Sequence, residues 1–214
     1  MIKQEIIAKI RENQTSTTEI LDIFGKDWSF FMNIPPLNRG SYAVGEAYVV
    51  HIIEEANWYI HIDLIDVPED VVVFIETQGV ERAAFGSLVS GYLFNHKGVE
   101  AIVSKGNLRD GQTLKEKEYP IWCRDIVAVG CHNKRSEKAD ETHKSLKESG
   151  HPLDGSILVC DDSGVAIIPE EKQTKEFYEK LTFIKNQEEI WFKCVDEGWS
   201  TFRTVCLKEY LKQS

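Results

Sequence analysis

Arg109 and Asp110, adjacent in "VSKGNLRDG" over residues 103–111, are the pair whose types could act on a small molecule. A guanidinium is always charged and can hold an oxyanion through two parallel N–H donors. A carboxylate beside it is a hard oxygen ligand, suited to Mg²⁺ or Mn²⁺. Neighbouring residues on a regular strand point to opposite faces, so both reach one pocket only where the backbone turns. Gly106 and Gly111 flank the pair and are expected to allow that turn. A plain surface turn would carry the same two residues, so the pair alone leaves both readings open. "AAFGSLVSG" offers the complementary feature: a helical pattern opened by Gly86. Free amides over Gly86, Ser87, Leu88 and Val89, with the helix dipole behind them, would favour a small carboxylate. If the following strand ends near Gly106, Arg109 and Asp110 lie at the carboxyl edge of an α/β sheet, where ligands bind.

Other familiar chemistry is missing: the chain has no GxSxG, phosphate loop, GxGxxG or HExxH. The glycines of "FGSLVSG" are spaced wrongly for a nucleophile elbow, so Ser87 and Ser90 are poor nucleophiles. His61 and Asp63 in "WYIHIDLI" would share one face of a strand, either as metal ligands or as a polar strand face; no third ligand is evident. Trp191 and Trp199 could line a pocket, but aromatic residues on a terminal helix more often dock it onto a core or a neighbouring subunit.

These groups need a scaffold, and 214 residues with 42% hydrophobic and 28% charged side chains can fold one around a full core. A net charge of −10 argues against a nucleic-acid surface. No apolar run reaches membrane-spanning length, and "MIKQEIIAKIRENQT" reads as an amphipathic helix, not a signal peptide. Five cysteines without a CxxC point to reduced thiols in a cytoplasmic protein.

Along the chain, Ile2, Ile6, Ile7 and Ile10 mark a first helix, and "TSTTEILDIFG" a second one, capped by Ser16 or Thr17 and ending at Gly25. "YAVGEAYVVHIIEE", "WYIHIDLI" and "PEDVVVFIE" read as strands, the last buried on both faces. The glycine-opened helix over 83–98 and the strand "VEAIVSKG" complete a β-helix-β unit with parallel strands. "YPIWCRDIVAVG" reads as one or two strands, and the polar "NKRSEKADETHKSLKESG" as a solvated loop. Asp161-Asp162-Ser163-Gly164 is the strongest hairpin signal, and from residue 171 onward the pattern is helical. The expectation is an α/β core with helical ends.

Taken in order, these segments resemble the RraA-like family. It comprises the regulator of ribonuclease activity A and the class II 4-hydroxy-4-methyl-2-oxoglutarate / 4-carboxy-4-hydroxy-2-oxoadipate aldolases. "FGSLVSGYLFNHKGVEAIVSKGNLRD" is similar to the family's Gly-acid-Leu helix start, glycine step, "DG" strand end and Arg-Asp. "YPIWCRDI", "PLDGSILVCDDSGVAIIPEE", "STTEILDIFG" and "YAVGEAYVV" also find counterparts, and "NQEEIWFKCVDEGWSTFR" looks like the aldolases' C-terminal helix. The similarity runs over roughly 15–205.

The resemblance implies a β/β/α swivelling-domain core over 1–170, and a helical extension over 171–214 that packs on a neighbouring subunit. The assembly would be a homotrimer or a dimer of trimers. It implies a lyase acting on a small 2-keto acid through a pyruvate enolate, either cleaving an aldol or decarboxylating oxaloacetate. Asp110 would hold Mg²⁺ or Mn²⁺, Arg109 would contact the keto acid, and the amides of Gly86, Ser87, Leu88 and Val89 would bind its carboxylate. A neighbouring subunit's acid would join them, with Glu188 and Glu189 as candidates. The other branch implies a non-catalytic protein that inhibits a ribonuclease or another partner by binding it.

Two positions depart from the aldolase pattern, and the spacing from Gly86 to Arg109 is one residue longer. Ser87 stands for an acid that helps orient a proton-shuttling water, and a serine cannot take up that proton at neutral pH. Lys105 stands for the "DG" aspartate. Pointing inward, its ammonium would weaken metal binding; alternatively, it would read a distal carboxylate or phosphate of a different substrate.

Overall fold

The computed structural model describes residues 2–212; Met1, Gln213 and Ser214, at the outer ends of the two expected units, lie outside the described residues. Strands β1 (Phe31–Met32), β2 (Ala43–His51), β3 (Val71–Glu76), β4 (Ala101–Ser104), β5 (Ile121–Cys123), β6 (Ile157–Asp161) and β7 (Gly164–Ile168) form one sheet in the order β1-β7-β6-β2-β3-β4-β5. Strands β2 to β5 are parallel because the chain crosses back outside the sheet between them. Beyond β2 the pairing turns antiparallel, led by the β6–β7 hairpin that closes at Asp161 and Gly164.

The sheet curls until its edges meet. Leu37 N–H donates to the Ile121 carbonyl (2.7 Å) and Cys123 N–H to that of Pro35 (3.2 Å), so the chain leaving β1 lies along β5. Curling buries one face of every strand in a shared interior that includes Val49, Phe74, Val103, Trp122, Leu158 and Val165. Trp122 is fully buried there, and its indole N–H is satisfied by the Asp161 carbonyl at 2.8 Å.

Helices cover the outer face in two groups. On one side α3 (Trp58–Asp63), α4 (Ser87–Tyr92) and α5 (Gly111–Glu116) pack on β3 and β4 through Ile60, Phe85, Leu93 and Leu114. On the other, α1 (Ile2–Asn13), α2 (Thr17–Ile23) and the start of α7 (Lys175–Asp196) pack Ile6, Ile10, Ile20, Phe177 and Leu181 on β6 and β7. Ser16 is the α2 cap, in a complete capping box with Glu19. The α/β expectation holds, with two faces of strand packed together and helices outside. All five cysteines are free thiols. Beyond Ile184, Cys194 is the only buried residue of α7.

Two expectations fail. "WYIHIDLI" is helix α3 followed by a 3₁₀ turn, not a strand. Its buried Tyr59, Ile60, Asp63 and Leu64 recur at helical spacing, which a short apolar run does not distinguish from a strand. The polar stretch expected as a loop contains α6 (Glu137–Ser149), capped by Ser136, whose hydroxyl accepts from Ala139 N–H. Acidic residues in its first turn, Lys147 in its last and Gly150 after it are helix signals, but no apolar stripe accompanies them. After β5 the chain makes only isolated bridges, Leu108 with Ile126 and Ala83 with Gly130, in place of a second strand.

The Asp161 carboxylate accepts from Thr17 N–H (2.8 Å), Thr17 hydroxyl (2.9 Å) and Ser163 N–H (2.8 Å), tying α2 to the hairpin. Asp161→Ala leaves the buried Thr17 donors unpaired and is expected to cost on the order of 2–3 kcal/mol in urea unfolding at unchanged m-value, with Asp161→Asn losing less.

Candidate functional site

Strand β4 ends at Ser104, and the next residues determine where Arg109 and Asp110 land. Gly106 presses against Thr77, where a Cβ would lie 2.8 Å from the Thr77 methyl carbon. Asn107 is buried and holds the Glu81 carbonyl through its side-chain amide (2.7 Å), while its own carbonyl accepts from Ala84 N–H (2.9 Å). Arg109 N–H then donates to the Phe85 carbonyl at 3.0 Å, so residues 107–109 run alongside 84–85. The chain reverses at Asp110, which adopts the left-handed region (φ 61°, ψ 36°) and opens α5. The turn expected of Gly106 and Gly111 is therefore made by an aspartate, a residue type that tolerates this conformation. The two glycines serve close packing instead, Gly111 against Ile126.

The reversal lays the Asp110 carboxylate over the start of α4. Its Oδ2 accepts from Ser87 N–H and from the Ser87 hydroxyl, both at 3.0 Å. Gly86 makes this possible: a Cβ there would sit 2.2 Å from Asp110 Oδ2 and 2.6 Å from Arg109 Cγ. Arg109 Nε lies 4.0 Å from Asp110 Oδ2, and both side chains are roughly half exposed (51% and 41%), so their mutual attraction is weak and both remain open to a ligand. The first intrahelical bond of α4 is Ser90 N–H to the Gly86 carbonyl (3.1 Å). Among the described residues the Leu88 and Val89 amides have no backbone acceptor.

Gly86, Leu88, Val89, Arg109 and Asp110 line one cleft of about 130 Å³. Its far wall comes from residues the sequence did not single out together. Asn57, just ahead of α3, donates its side-chain amide to the Ala84 carbonyl (2.8 Å). Gly130, Cys131 and Asn133 come from the segment after β5, and Gly130 leaves room for the Arg109 guanidinium, whose Nη1 lies 2.9 Å from where a Cβ would be. Asn57 is a residue type common at helix starts, but its side chain makes no cap bond to α3, and nothing local marks the other three. Burial pushes the Cys131 thiol up to about 11, so it is protonated at neutral pH and is no nucleophile there.

Three anticipated residues go elsewhere. Lys105 does not line the cleft; its ammonium sits 2.8 Å from Glu76 Oε2. His61 faces the cleft, whereas Asp63, two helical positions on, is buried under α6 with His143 Nε2 at 3.0 Å and Lys147 Nζ at 3.2 Å. The two therefore share no face and no metal, because α3 is a helix. Glu188 lies against Glu19 of its own chain, and burial together with that carboxylate raises its pKa, while Glu189 is exposed.

The cleft's donor set suits one kind of cation. No group of three His, Cys, Asp or Glu side chains converges among the described residues, so a closed site of the zinc type has no ligands here. Asp110 Oδ1 receives no hydrogen bond from the described residues, while the Ser87 hydroxyl donates to Oδ2. One carboxylate oxygen with room for water is what a hard, largely hydrated cation such as Mg²⁺ accepts.

Comparisons with known proteins agree on the family. A family model described as RraA-like, Aldolase/RraA, matches residues 17–167. Protein DlpA of Legionella pneumophila is 27% identical over 184 residues, covering 83% of this chain, which spans only 29% of that protein's length. A putative 4-hydroxy-4-methyl-2-oxoglutarate aldolase of Halalkalibacterium halodurans is 26% identical over 155 residues, 72% of each chain. In structure, Streptomyces coelicolor RraAS2, described as an unusual member of the RNase ES inhibitor RraA protein family, superposes with a TM-score of 0.66 at 22% identity, over 87% of this chain and 96% of its own. That last likeness concerns the fold. The order of motifs, the curled sheet and the match over most of the chain establish one conclusion: this chain belongs to the RraA-like (Aldolase/RraA) family.

Proposed function

We propose that the cleft is the site of a divalent-cation-dependent carbon–carbon lyase acting on a small 2-keto acid, by aldol cleavage or by β-decarboxylation of an oxaloacetate-like substrate. The observation that carries this reading is the convergence of Arg109 and Asp110 on the amide-bearing start of α4, across Gly86. The Leu88 and Val89 amides take the substrate carboxylate. Arg109 reaches the 2-keto oxygen and stabilises the negative charge that collects there as the carbon–carbon bond breaks and its electron pair becomes an enolate. The other fragment leaves as CO₂ or, once its hydroxyl proton has passed to water, as a carbonyl compound, and the enolate takes a proton from water to give pyruvate. Asp110 Oδ1 would hold Mg²⁺ or Mn²⁺, which when bound would supply Lewis-acid polarisation of the keto oxygen. Ser87 fixes Asp110 through two hydrogen bonds and takes up no proton. The ammonium of Lys105 is held by Glu76 outside the cleft, so it neither reads substrate nor repels the cation.

The site is completed between subunits of a homotrimer or a dimer of trimers, in the cytoplasm. Exposed Phe183 and Ile190, seven residues apart on one side of α7, with exposed Phe192 and Phe202 elsewhere on the 171–214 extension, offer apolar surface to pack on a neighbour. Glu189, exposed on that extension, is better placed than Glu188 to reach a neighbouring cleft. No helix among the described residues is long and apolar enough to cross a membrane.

A non-catalytic binding protein is the second reading, favoured by the loss of an acid at position 87 and by a net charge of −10, which suits a basic partner. Pyruvate release from oxaloacetate with Mg²⁺ or Mn²⁺ separates the two. Turnover should vanish with a chelator, and Asp110→Ala should lower kcat/KM by on the order of 10²–10³-fold, as loss of a transition-state contact does. Arg109→Lys should lose much of it too, because an ammonium lacks the paired donors. Turnover unchanged in Asp110→Ala would sink the lyase reading. No turnover by the wild type, with one stoichiometric partner recovered from lysate, would favour the binding protein.

Glycine substitutions test the geometry. Gly86→Ala must displace the Asp110 carboxylate and is expected to lower activity at least about tenfold while costing on the order of 1–3 kcal/mol of stability. Gly130→Ala meets only the flexible tip of Arg109 and should cost less of both, measured by the same assay and by thermal unfolding.

A further inference from the structure

A second polar group sits at the mouth of the curled sheet, apart from the cleft. His51 is in register with Glu76 across β2 and β3, and Lys105 N–H reaches the Ile75 carbonyl across β3 and β4. By strand alternation all three side chains lie on the inner face, with Val49, Phe74 and Val103. The segment 150–156 closes this mouth. Leu153 is buried in the interior, and the His151 ring lies 5.9 Å from that of Phe74 and 5.6 Å from that of His51. His151 Nδ1 accepts from Leu153 N–H (3.1 Å), which turns Nε2 toward Glu76 Oε2 at 3.7 Å. His51 is only 6% exposed, and its Nδ1 is buried without a hydrogen-bond partner.

Groups from four elements face His51. His151 comes from the closing segment, Lys147 from α6, Glu76 from β3 and Asp63 from α3. Lys105 acts through Glu76, and Asp154 lines the same small cavity. Burial first, then His151 and Lys147, disfavour a charged His51, while Glu76 and Asp63 favour it; the balance lowers its pKa.

We propose that His51 and His151 form an acid-released clasp: a proton taken up by His51 unseats segment 150–156 and loosens α6 from the wall of the cleft. A charged ring would carry a buried N–H without an acceptor and would stand beside Lys147 and His151. β2 is fixed in the sheet, so the closing segment is what yields. α6 is suited to follow, because Ala139 is its only buried residue and its apolar hold is a small cluster of Ile53, Tyr59, Ala139 and Leu146. Its polar hold includes His143 and Lys147 on Asp63 of α3, the helix that presents His61 to the cleft, together with Asp140 on the Tyr59 hydroxyl and Ser136 and Lys138 on Glu54. Since the folded pKa of His51 is below its unfolded value, the clasp contributes fully above the unfolded pKa of about 6.5 and is lost as pH falls through the lower, folded value.

The test is peptide-resolved hydrogen exchange on the full chain at about pH 7.5 and about pH 5.5, expressed as protection factors corrected for intrinsic rates. Protection over 137–156 should fall about tenfold or more relative to α1 in the wild type, and clearly less in His51→Gln, which cannot take the proton. Equal falls in the two proteins, or no selective fall in the wild type, overturn the proposal. If His51→Gln does not fold, His51→Phe, which keeps an aromatic ring among the same neighbours and takes up no proton, should show the same attenuation; a fall equal to that of the wild type overturns the proposal likewise. The clasp does not depend on the lyase reading, because exchange is read without substrate.

Discussion

Asp110 can lie on the backbone of residue 86 only because that residue has no side chain, and the candidate site is organised around this contact. The left-handed backbone at Asp110 costs about 1–2 kcal/mol for a residue with a Cβ. Two hydrogen bonds from Ser87, one of them from a helix-start amide, offset that cost and fix the carboxylate's rotation. One oxygen is thereby held by the protein and the other left facing outward. The same reversal throws Arg109 to the opposite side of the turn, where Gly130 leaves space for the guanidinium. Two adjacent residues reach one cleft because the second of them is the turn.

The curled sheet makes this arrangement rigid. β3 and β4 are interior strands, paired on both sides, and their carboxyl ends deliver Glu76 and Lys105 within one register step. Segments 84–85 and 107–109 then continue the pairing beyond the sheet through Ala84 with Asn107 and Arg109 with Phe85. Arg109 and Asp110 therefore stand on an extension of the sheet rather than on a free loop, and loops held in this way can keep a site's geometry without a bound ligand.

What the sequence disclosed, and what it hid, follows from the range of the interactions. The hairpin at Asp161–Gly164, a cap for α2 at Ser16 or Thr17 and the parallel β-helix-β unit are local, and each was legible from residue types and spacing. α3 was not, since six residues with alternating apolar positions satisfy a strand as well as a short helix. α6 was hidden for the opposite reason: it buries one residue, so it has no stripe to read. Arg109 and Asp110 were legible as a candidate pair by residue type, but their geometry was not. The roles of Gly106 and Gly111 depend on Thr77 and Ile126, which approach from distant parts of the chain. Gly130, Cys131 and Asn133 enter the cleft through long-range bridges that leave no local pattern.

Lys105 shows how strand parity can send neighbouring residues of sequence to different faces of the sheet. In the one-dimensional chain it stands four positions before Arg109 and looks like an intruder in the same site. In the sheet it belongs to the inner face with Val103, so its charge meets Glu76, whose carboxylate it holds ionised despite burial. Burial raises the Glu76 pKa, but the hydrogen bonds from Lys105 and the Gln78 amide outweigh it and leave it below the usual range. A cation that would oppose a metal in the cleft is thus neutralised at the mouth of the sheet, on the other side of the backbone. The aspartate expected at this position would instead have put a second acid beside Glu76, so a lysine here is better understood with its cross-strand neighbour than with the reactive pair that follows it.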